Sequence, residues 1–579
     1  MKGDVKVPIP APNNKERFLK ELIFLIFTIL ICIGSIWLGL RQFQVPEVKT
    51  ENTGRHHFSS ERALVYLDNI VDKPRPTGSP ENERVRDYII SELESLGVTA
   101  EIQIVEDGLS VWGDPYEGKV ANIVARIPGE HSSGTIMITS HYDSDPNSPG
   151  AADAGSGVAA ILETVRAVTE SSHLKNDLVI LISDGEEIGL LGAQAFSKFH
   201  PWAKDIDIVL NFEARGSSGP SVLFETNEYN ERLVAEYVKG VSNPVAHSFI
   251  NELYKTMPND TDFSIYKPLG VYGLNFAFFD DLYSYHSEDD TVENLNLGSL
   301  QHHGDNMLEI TRHLGSMDLV AKQDGKALFF NVFGKKVVTY SEKYVIPIML
   351  LAFVIYIGIS MIGIKYSKLT FMGLSAGLLV FLLLGTVSYF LGGILWSLIS
   401  SMKGWNPWLI TVFPTISQPV FVSMIFIFLV FAMVIYRLFS RRIDCESLTM
   451  GALFGWLILT CISSILYKGM SYIFVWPFII GLIALGGYMI VNEKYPFTAK
   501  ISYLFVIALN LIFLGPIIYL VFVLLTIEYV EIHMVSVSAV TAFLFPILNQ
   551  MKGRYTLLFS VMFILVGIFI LFTSYMRFM

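Results

Sequence analysis

The chain has 579 residues, 52% of them hydrophobic, with a formal net charge of −12 and a mean hydropathy of +0.46. A soluble protein does not sustain that average, so apolar runs must be concentrated somewhere; the acidic balance excludes a phosphate-binding face, and with it nucleic acid as a partner. The three cysteines, Cys32, Cys445 and Cys461, lie outside residues 42–340, so that polar stretch has neither a disulfide framework nor a thiolate metal site.

Residues 1–21 carry Lys15, Arg17 and Lys20 and read as a cytosolic amino terminus. The apolar run 22–40 that follows is close to the ~20 residues needed to cross a bilayer. Arg41-Gln42-Phe43-Gln44 offers no small-residue cleavage site, so the run reads as an uncleaved anchor rather than a signal peptide. Residues 42–57 read as a linker, and 58–320 as an α/β domain long enough to bury its own core. Within it, Ser79-Pro80-Glu81 is a helix start: a serine cap, proline at the first helical position and an acid in the first turn. Strands are expected at 100–105, 120–127, 135–140, 178–183, 208–213, 221–225 and 271–279. Helices are expected near 156–171, 189–200, 228–241 and 297–315. The nearly all-apolar runs at 135–140, 178–183 and 208–213 suit a sheet covered on both faces, giving a mixed sheet sandwiched by helices.

A second linker is expected at 321–343, followed by an all-α polytopic membrane bundle over 344–579. Its eight spans read as 344–364, 371–399, 409–436, 449–467, 471–491, 501–526, 534–549 and 556–575. With the amino terminus inside, the cytosolic loops hold Lys365, Lys368, Arg437, Arg441, Arg442, Lys494, Lys500, Lys552 and Arg554. The outer loops hold only Lys403 and Lys468. Nine positive residues against two follows the positive-inside rule and turns the α/β domain away from the cytosol. Ionisable residues are nearly absent inside the spans; Pro414, Gln418, Pro419 and Asn510 read as kinks and interhelical contacts, and the bundle as an anchor and substrate platform.

Chemistry concentrates at the carboxyl ends of the strands, where ligands sit in such folds. His141 follows one strand, and Asp143 stands close enough to hold its imidazole in the ligating tautomer. Asp153 lies in the small-residue loop Gly150-Ala151-Ala152-Asp153-Ala154-Gly155-Ser156-Gly157, where a carboxylate could bridge two cations. Glu186 and Glu187 follow the strand at 178–183, one free to carry a proton while the other binds metal. Glu213 ends the next strand, and His286 follows the strand at 271–279. Imidazole and carboxylate donors suit zinc, and two ions a few Å apart would acidify a shared water and polarise a carbonyl.

These residues, with PRPTGSPENERVRDYI (74–89), GLLGAQAF (189–196) and DTDFSIY (260–266), resemble the co-catalytic di-zinc aminopeptidase family over about 58–316. That family's relatives include glutamate carboxypeptidases and glutaminyl cyclases. The resemblance implies a zinc-exopeptidase-like fold with two Zn2+ per chain: His141 and Glu213 on one ion, Glu187 and His286 on the other, Asp153 bridging. It implies Glu186 as general base, Tyr285 as a hydrogen-bond donor to the oxyanion, and Asp290 as a supporting acid. An amino-terminal span, this domain and then eight spans look like the endoplasmic reticulum metallopeptidase and vacuolar membrane protease group. The chain stops at its ninth span, which suits a bacterial plasma-membrane protein; the endoplasmic reticulum or vacuole membrane is the eukaryotic alternative.

The expectation is therefore a bilayer-anchored zinc exopeptidase acting on peptides, an aminopeptidase first. A carboxypeptidase or dipeptidase, a one-zinc cyclase and a non-catalytic scaffold or receptor are the alternatives. A cyclase needs one zinc, whereas His141 and Glu213 complete a second site; a scaffold would have lost ligands. Arg215, two residues after Glu213, is expected to pair with a nearby acid; gripping a substrate carboxylate instead would shift the reading towards the carboxypeptidase or dipeptidase.

Overall fold

The computed structural model describes residues 14–170, 173–319, 325–549 and 553–578. Residues 1–13 of the expected cytosolic terminus, part of the expected 321–343 linker and the Lys552 loop position lie outside the described residues. In chain order the strands are β1 (Ala100–Val105), β2 (Ser110–Val111), β3 (Asp114–Pro115), β4 (Val120–Ile127), β5 (Thr135–His141) and β6 (Asp177–Ser183). They continue with β7 (Ile206–Ala214), β8 (Val222–Thr226), β9 (Tyr272–Phe278), β10 (Ala327–Val332) and β11 (Lys336–Ser341). Seven of them form one mixed sheet in the order β1-β4-β6-β5-β7-β9-β8. The inner strands β6, β5, β7 and β9 run parallel, while β4 and β1 on one side and β8 on the other run antiparallel.

Burial explains the apolar runs. Every residue of β5 is buried, because helices cover both faces of the sheet. One face packs against Ser60–Ile70, Gly157–Thr169 and Leu297–Ser316, whose Leu67, Val158, Ile161, Leu300 and Met307 are fully enclosed. The other packs against Leu191–Phe199 and Phe263–Tyr266 through Phe196, Phe263 and Tyr266. The expected helix start at Ser79 forms as read: its hydroxyl accepts the Asn82 N–H at 3.1 Å and Pro80 occupies the first turn.

Strand β5 pairs with β6 on one side and β7 on the other, so successive connections leave it in opposite directions. That reversal opens a crevice beyond the carboxyl ends of the central strands, the usual ligand position in an open α/β sheet.

Among the described residues nine helices are long and apolar enough to cross a membrane, beginning with Leu22–Phe43 and ending with Thr556–Met576. The chain is a multi-pass membrane protein. Two expectations need correcting. The 321–343 linker contains the β10–β11 hairpin, whose Phe330 stacks on Tyr472 of the bundle with ring centroids 4.3 Å apart. The 409–436 run is broken: Pro407–Val412 stops at Phe413 and Pro414–Phe439 starts afresh, since proline cannot donate the hydrogen bond that would continue a helix.

The α/β domain is seated on the bundle rather than tethered beside it. Tyr283 stacks on Phe413 with centroids 4.1 Å apart, and the Tyr519 hydroxyl donates to both Asp280 carboxylate oxygens at 3.2 and 3.1 Å. Gln42, at the end of the first span, sits 3.1 Å from the buried His247 imidazole. The expected 42–57 linker also lies along the domain, with Lys49 paired to Asp305 at 2.7 Å.

Candidate active site and metal centre

The crevice gathers the five expected ligands from five segments. His141 closes β5 and is 1% exposed. Its Nε2 lies 3.3 Å from Asp153 Oδ1 and 3.4 Å from Glu213 Oε2, on β7. His286 Nε2 lies 3.1 Å from the other Asp153 oxygen, Oδ2, and 3.0 Å from Glu187 Oε2. The donors thus fall into two triads, His141–Asp153–Glu213 and Asp153–Glu187–His286, each with its ligand atoms within 4.8 Å of one another. Asp153 belongs to both and turns one oxygen to each.

Local backbone explains how each side chain arrives. Gly185, with φ +73°, turns the chain sharply after β6 so that the next two residues face the crevice. The Asp143 carboxylate then accepts the N–H groups of Glu186 and Glu187, both at 3.2 Å. The same carboxylate lies 3.4 Å from His141 Nδ1, while the Asp143 carbonyl lies 3.2 Å from that nitrogen. Asp153 sits in a distorted helical turn whose N–H groups at Ala152 and Asp153 donate to the Asp290 carboxylate at 2.7 and 3.1 Å. His286 takes φ +52°, an uncommon left-handed setting, and its ring is stacked by Tyr285 with centroids 3.9 Å apart.

Glu186 joins neither triad. Its side chain is 13% exposed, with Oε2 4.0 Å from His141 Nε2. Burial, reinforced by the charges of Glu213, Glu187 and Asp262 and partly offset by His141, holds its carboxyl well above the usual range. Burial also pushes Glu187 up to about 7, with the Asp153 charge adding to it and His286 pulling the other way. A buried carboxylate cluster of this kind is costly without compensating cations. Glu187 Oε1 is buried with no hydrogen-bond partner, as a ligand atom would be. Two imidazoles with three carboxylates and no thiolate match the donor set of zinc, so the residues present fit the metal.

Several supporting groups escape a reading by sequence. Arg75, within the 74–89 motif, is fully buried and donates to the carbonyls of Tyr142 at 2.6 Å, Gly150 at 2.9 Å and Pro149, tying the segment after His141 to the Asp153 loop. Asn211 donates to Glu213 Oε1 at 3.1 Å and to Asn275 at 2.9 Å, and Asn275 donates to Glu225 at 2.9 Å. This polar rung crosses three adjacent strands beneath the site. A buried guanidinium flanked by prolines, and an asparagine in an otherwise apolar strand, were the available signals. Arg215 departs from expectation: among the described residues no acid pairs with it, and its guanidinium instead meets the Leu524 carbonyl at 3.5 Å.

Residues 122–311 match the model of Peptidase family M28. The matched segment lies within the α/β domain and contains all five residues of the two triads. The match agrees with the resemblance read from the motifs. Mouse endoplasmic reticulum metallopeptidase 1 is 30% identical over 341 residues, 54% of this chain and 38% of that protein. The vacuolar membrane protease of Candida dubliniensis is 29% identical over 307 residues, 52% of this chain and 32% of that one. The match thus spans well under half the length of either relative. Among solved structures, a Zn-dependent exopeptidase from Parabacteroides distasonis is 20% identical, with 45% of this chain and 99% of that one covered at a TM-score of 0.36. Porphyromonas gingivalis glutaminyl cyclase is 18% identical, with 44% and 97% covered and a TM-score of 0.37.

Proposed function

We propose that this chain is a membrane-anchored exopeptidase, an aminopeptidase, using two zinc ions per chain, with its catalytic domain on the non-cytosolic side. The observation that carries the reading is the pair of triads sharing Asp153, beside a glutamate, Glu186, that belongs to neither. The lysine and arginine bias of the loops supports the sidedness.

His141, Asp153 and Glu213 would hold one ion, and Asp153, Glu187 and His286 the other. Zinc bound there supplies Lewis acidity, lowering the pKa of a water towards ~7 and polarising the scissile carbonyl. Glu186 takes the proton from the attacking water as its oxygen bonds to the carbonyl carbon. It returns that proton to the amine nitrogen as the C–N bond breaks. Tyr285, its hydroxyl held protonated by burial and by the charges of Asp153, Glu187 and Glu186, donates a hydrogen bond to the carbonyl oxygen as negative charge develops there. Asp143 orients His141 and the Glu186–Glu187 turn, and Asp290 holds the Asp153 loop.

The test is metal analysis of the purified chain together with hydrolysis of free-amine and N-blocked peptides. About two zinc ions per chain are expected. Glu186→Gln should keep both while turnover falls by ~10²–10⁴, the usual worth of a positioned base. Equal turnover of blocked peptides would overturn the aminopeptidase assignment; loss of metal from the variant would mean that base and ligand are exchanged.

A further inference from the structure

We propose that Arg215 is a specificity determinant that receives a carboxylate of the substrate, selecting peptides with an acidic group one residue beyond the scissile bond. This deepens the peptidase reading and rests on it. The acidic group is either the terminal carboxylate of a dipeptide or an aspartate or glutamate side chain at that position.

The placement follows from strand geometry. Arg215 directly follows β7, and its N–H continues the ladder by donating to the Phe278 carbonyl of β9 at 3.0 Å, so it lies two extended residues beyond Glu213 and on the same side of the chain. The Cα atoms of Glu213 and Arg215 are about 6.6 Å apart at the usual strand rise. One residue of extended peptide spans ~3.3–3.6 Å, so a carboxylate one residue past the reacting carbonyl lies within reach of a side chain as long as arginine.

The guanidinium is not committed elsewhere. Its Nε is buried without a partner, no carboxylate pairs with it among the described residues, and its one protein acceptor is the Leu524 carbonyl at 3.5 Å. Leu524 lies in the last turn of the span helix Pro496–Leu525, whose carbonyl end carries partial negative charge that steadies the arginine without neutralising it. Arg215 also borders a narrow cleft with Phe224, Tyr254, Met257, Phe279 and Leu524, and the buried Tyr254 hydroxyl there is likewise unpartnered. Two unsatisfied donors thus share one apolar cleft that starts two residues beyond the metal-binding Glu213, and a guanidinium binds a planar carboxylate through two parallel hydrogen bonds.

The test compares a dipeptide, its C-terminal amide, and a free-amine tripeptide amide with or without aspartate after the scissile bond. Binding to full-length Glu186→Gln is read by titration calorimetry, and kcat/KM is read for the wild type. The carboxylate forms should be favoured by about tenfold or more, the worth of one charged hydrogen bond, mainly through KM. Arg215→Gln should bring the ratio near one, and Arg215→Lys should restore part of it, with zinc content measured in both to certify the fold. Preference for the dipeptide alone assigns the terminal carboxylate, and preference for the aspartyl peptide alone assigns the side chain. Equal handling of acid and amide by the wild type, or an unchanged ratio in a zinc-loaded Arg215→Gln, overturns the proposal and leaves Arg215 as a docking contact to the bundle. Carboxylate-selective binding without hydrolysis by the wild type would sink the peptidase reading while the Arg215 site stands.

Discussion

Two buried histidines that take no part in either metal triad should make this fold sensitive to mild acid. His303 is fully buried on Leu297–Ser316, edge-on to Phe212 and Phe278 with centroids 4.9 and 5.4 Å away, and its Nε2 has no partner. His247 is 1% exposed where the α/β domain meets the bundle, between Gln42 and the Tyr472 hydroxyl. Burial lowers each imidazole to about 3, with the neighbouring His302 adding to the effect at His303. A folded value below the unfolded one of about 6.5 means that the unfolded chain binds the proton first. The stability is therefore complete above pH 6.5 and lost progressively as pH falls towards 3. Between pH 7.5 and 5.5 the linkage relation gives about 1.4 kcal/mol per histidine. Buried acids oppose this, because Asp184 and Asp262 are each pushed up to about 7 by burial and neighbouring acids, and they favour the folded state as pH falls. The readout is thus a difference: melting of wild type and His303→Gln at both pH values, in one detergent with a chelator throughout. The acid-induced drop in the variant should be smaller by about 1.4 kcal/mol, or roughly 3–5 °C for a domain of this size. Equal drops in the two proteins would refute the claim that a neutral, desolvated imidazole is part of this core.

Asp290→Ala removes the acceptor of the Ala152 and Asp153 N–H groups; it should cost about 2–4 kcal/mol and lower zinc affinity about 10–100-fold, read by melting and competitive chelation. Undiminished zinc retention would show that the Asp153 loop holds itself. Tyr519→Phe removes the hydroxyl that donates to Asp280 and should weaken docking by about 1–3 kcal/mol, seen as faster amide exchange over residues 279–286 with exchange in β5 unchanged. Faster exchange across the whole domain would point to general destabilisation instead.

The parts of this molecule legible in the sequence are those set by local periodicity and by side-chain type. Runs without polar interruption give the central strands because both faces of the sheet are covered; the serine–proline start gives the helix at Pro80; hydropathy gives the spans. The five residues of the two triads were nameable because imidazole and carboxylate at the ends of apolar strands have few other uses in a covered sheet. The β10–β11 hairpin was hidden: Ala327–Val332 is apolar on both faces, one packing on the domain and the other on the bundle, so alternation fails. The break at Phe413 was equally masked, since hydropathy is blind to a proline that leaves a run apolar.

What no local pattern could reveal is how the site is completed by distant chain. The loop that carries His286 begins beside Asp280 and Tyr283, and these are held by Tyr519 and Phe413, more than a hundred residues away in the bundle. Arg215 meets Leu524 across 309 positions of sequence. An arginine after a metal-binding glutamate invites an acid as its partner by the ordinary rules of ion pairing, and that expectation failed for a physical reason. Arg215 meets the carbonyl end of the helix Pro496–Leu525 instead, which carries only partial charge. The guanidinium charge is therefore left without a countercharge among the described residues, and the bundle, read from sequence as an anchor and substrate platform, supplies through Leu524 one wall of the cleft in which a substrate carboxylate would be selected.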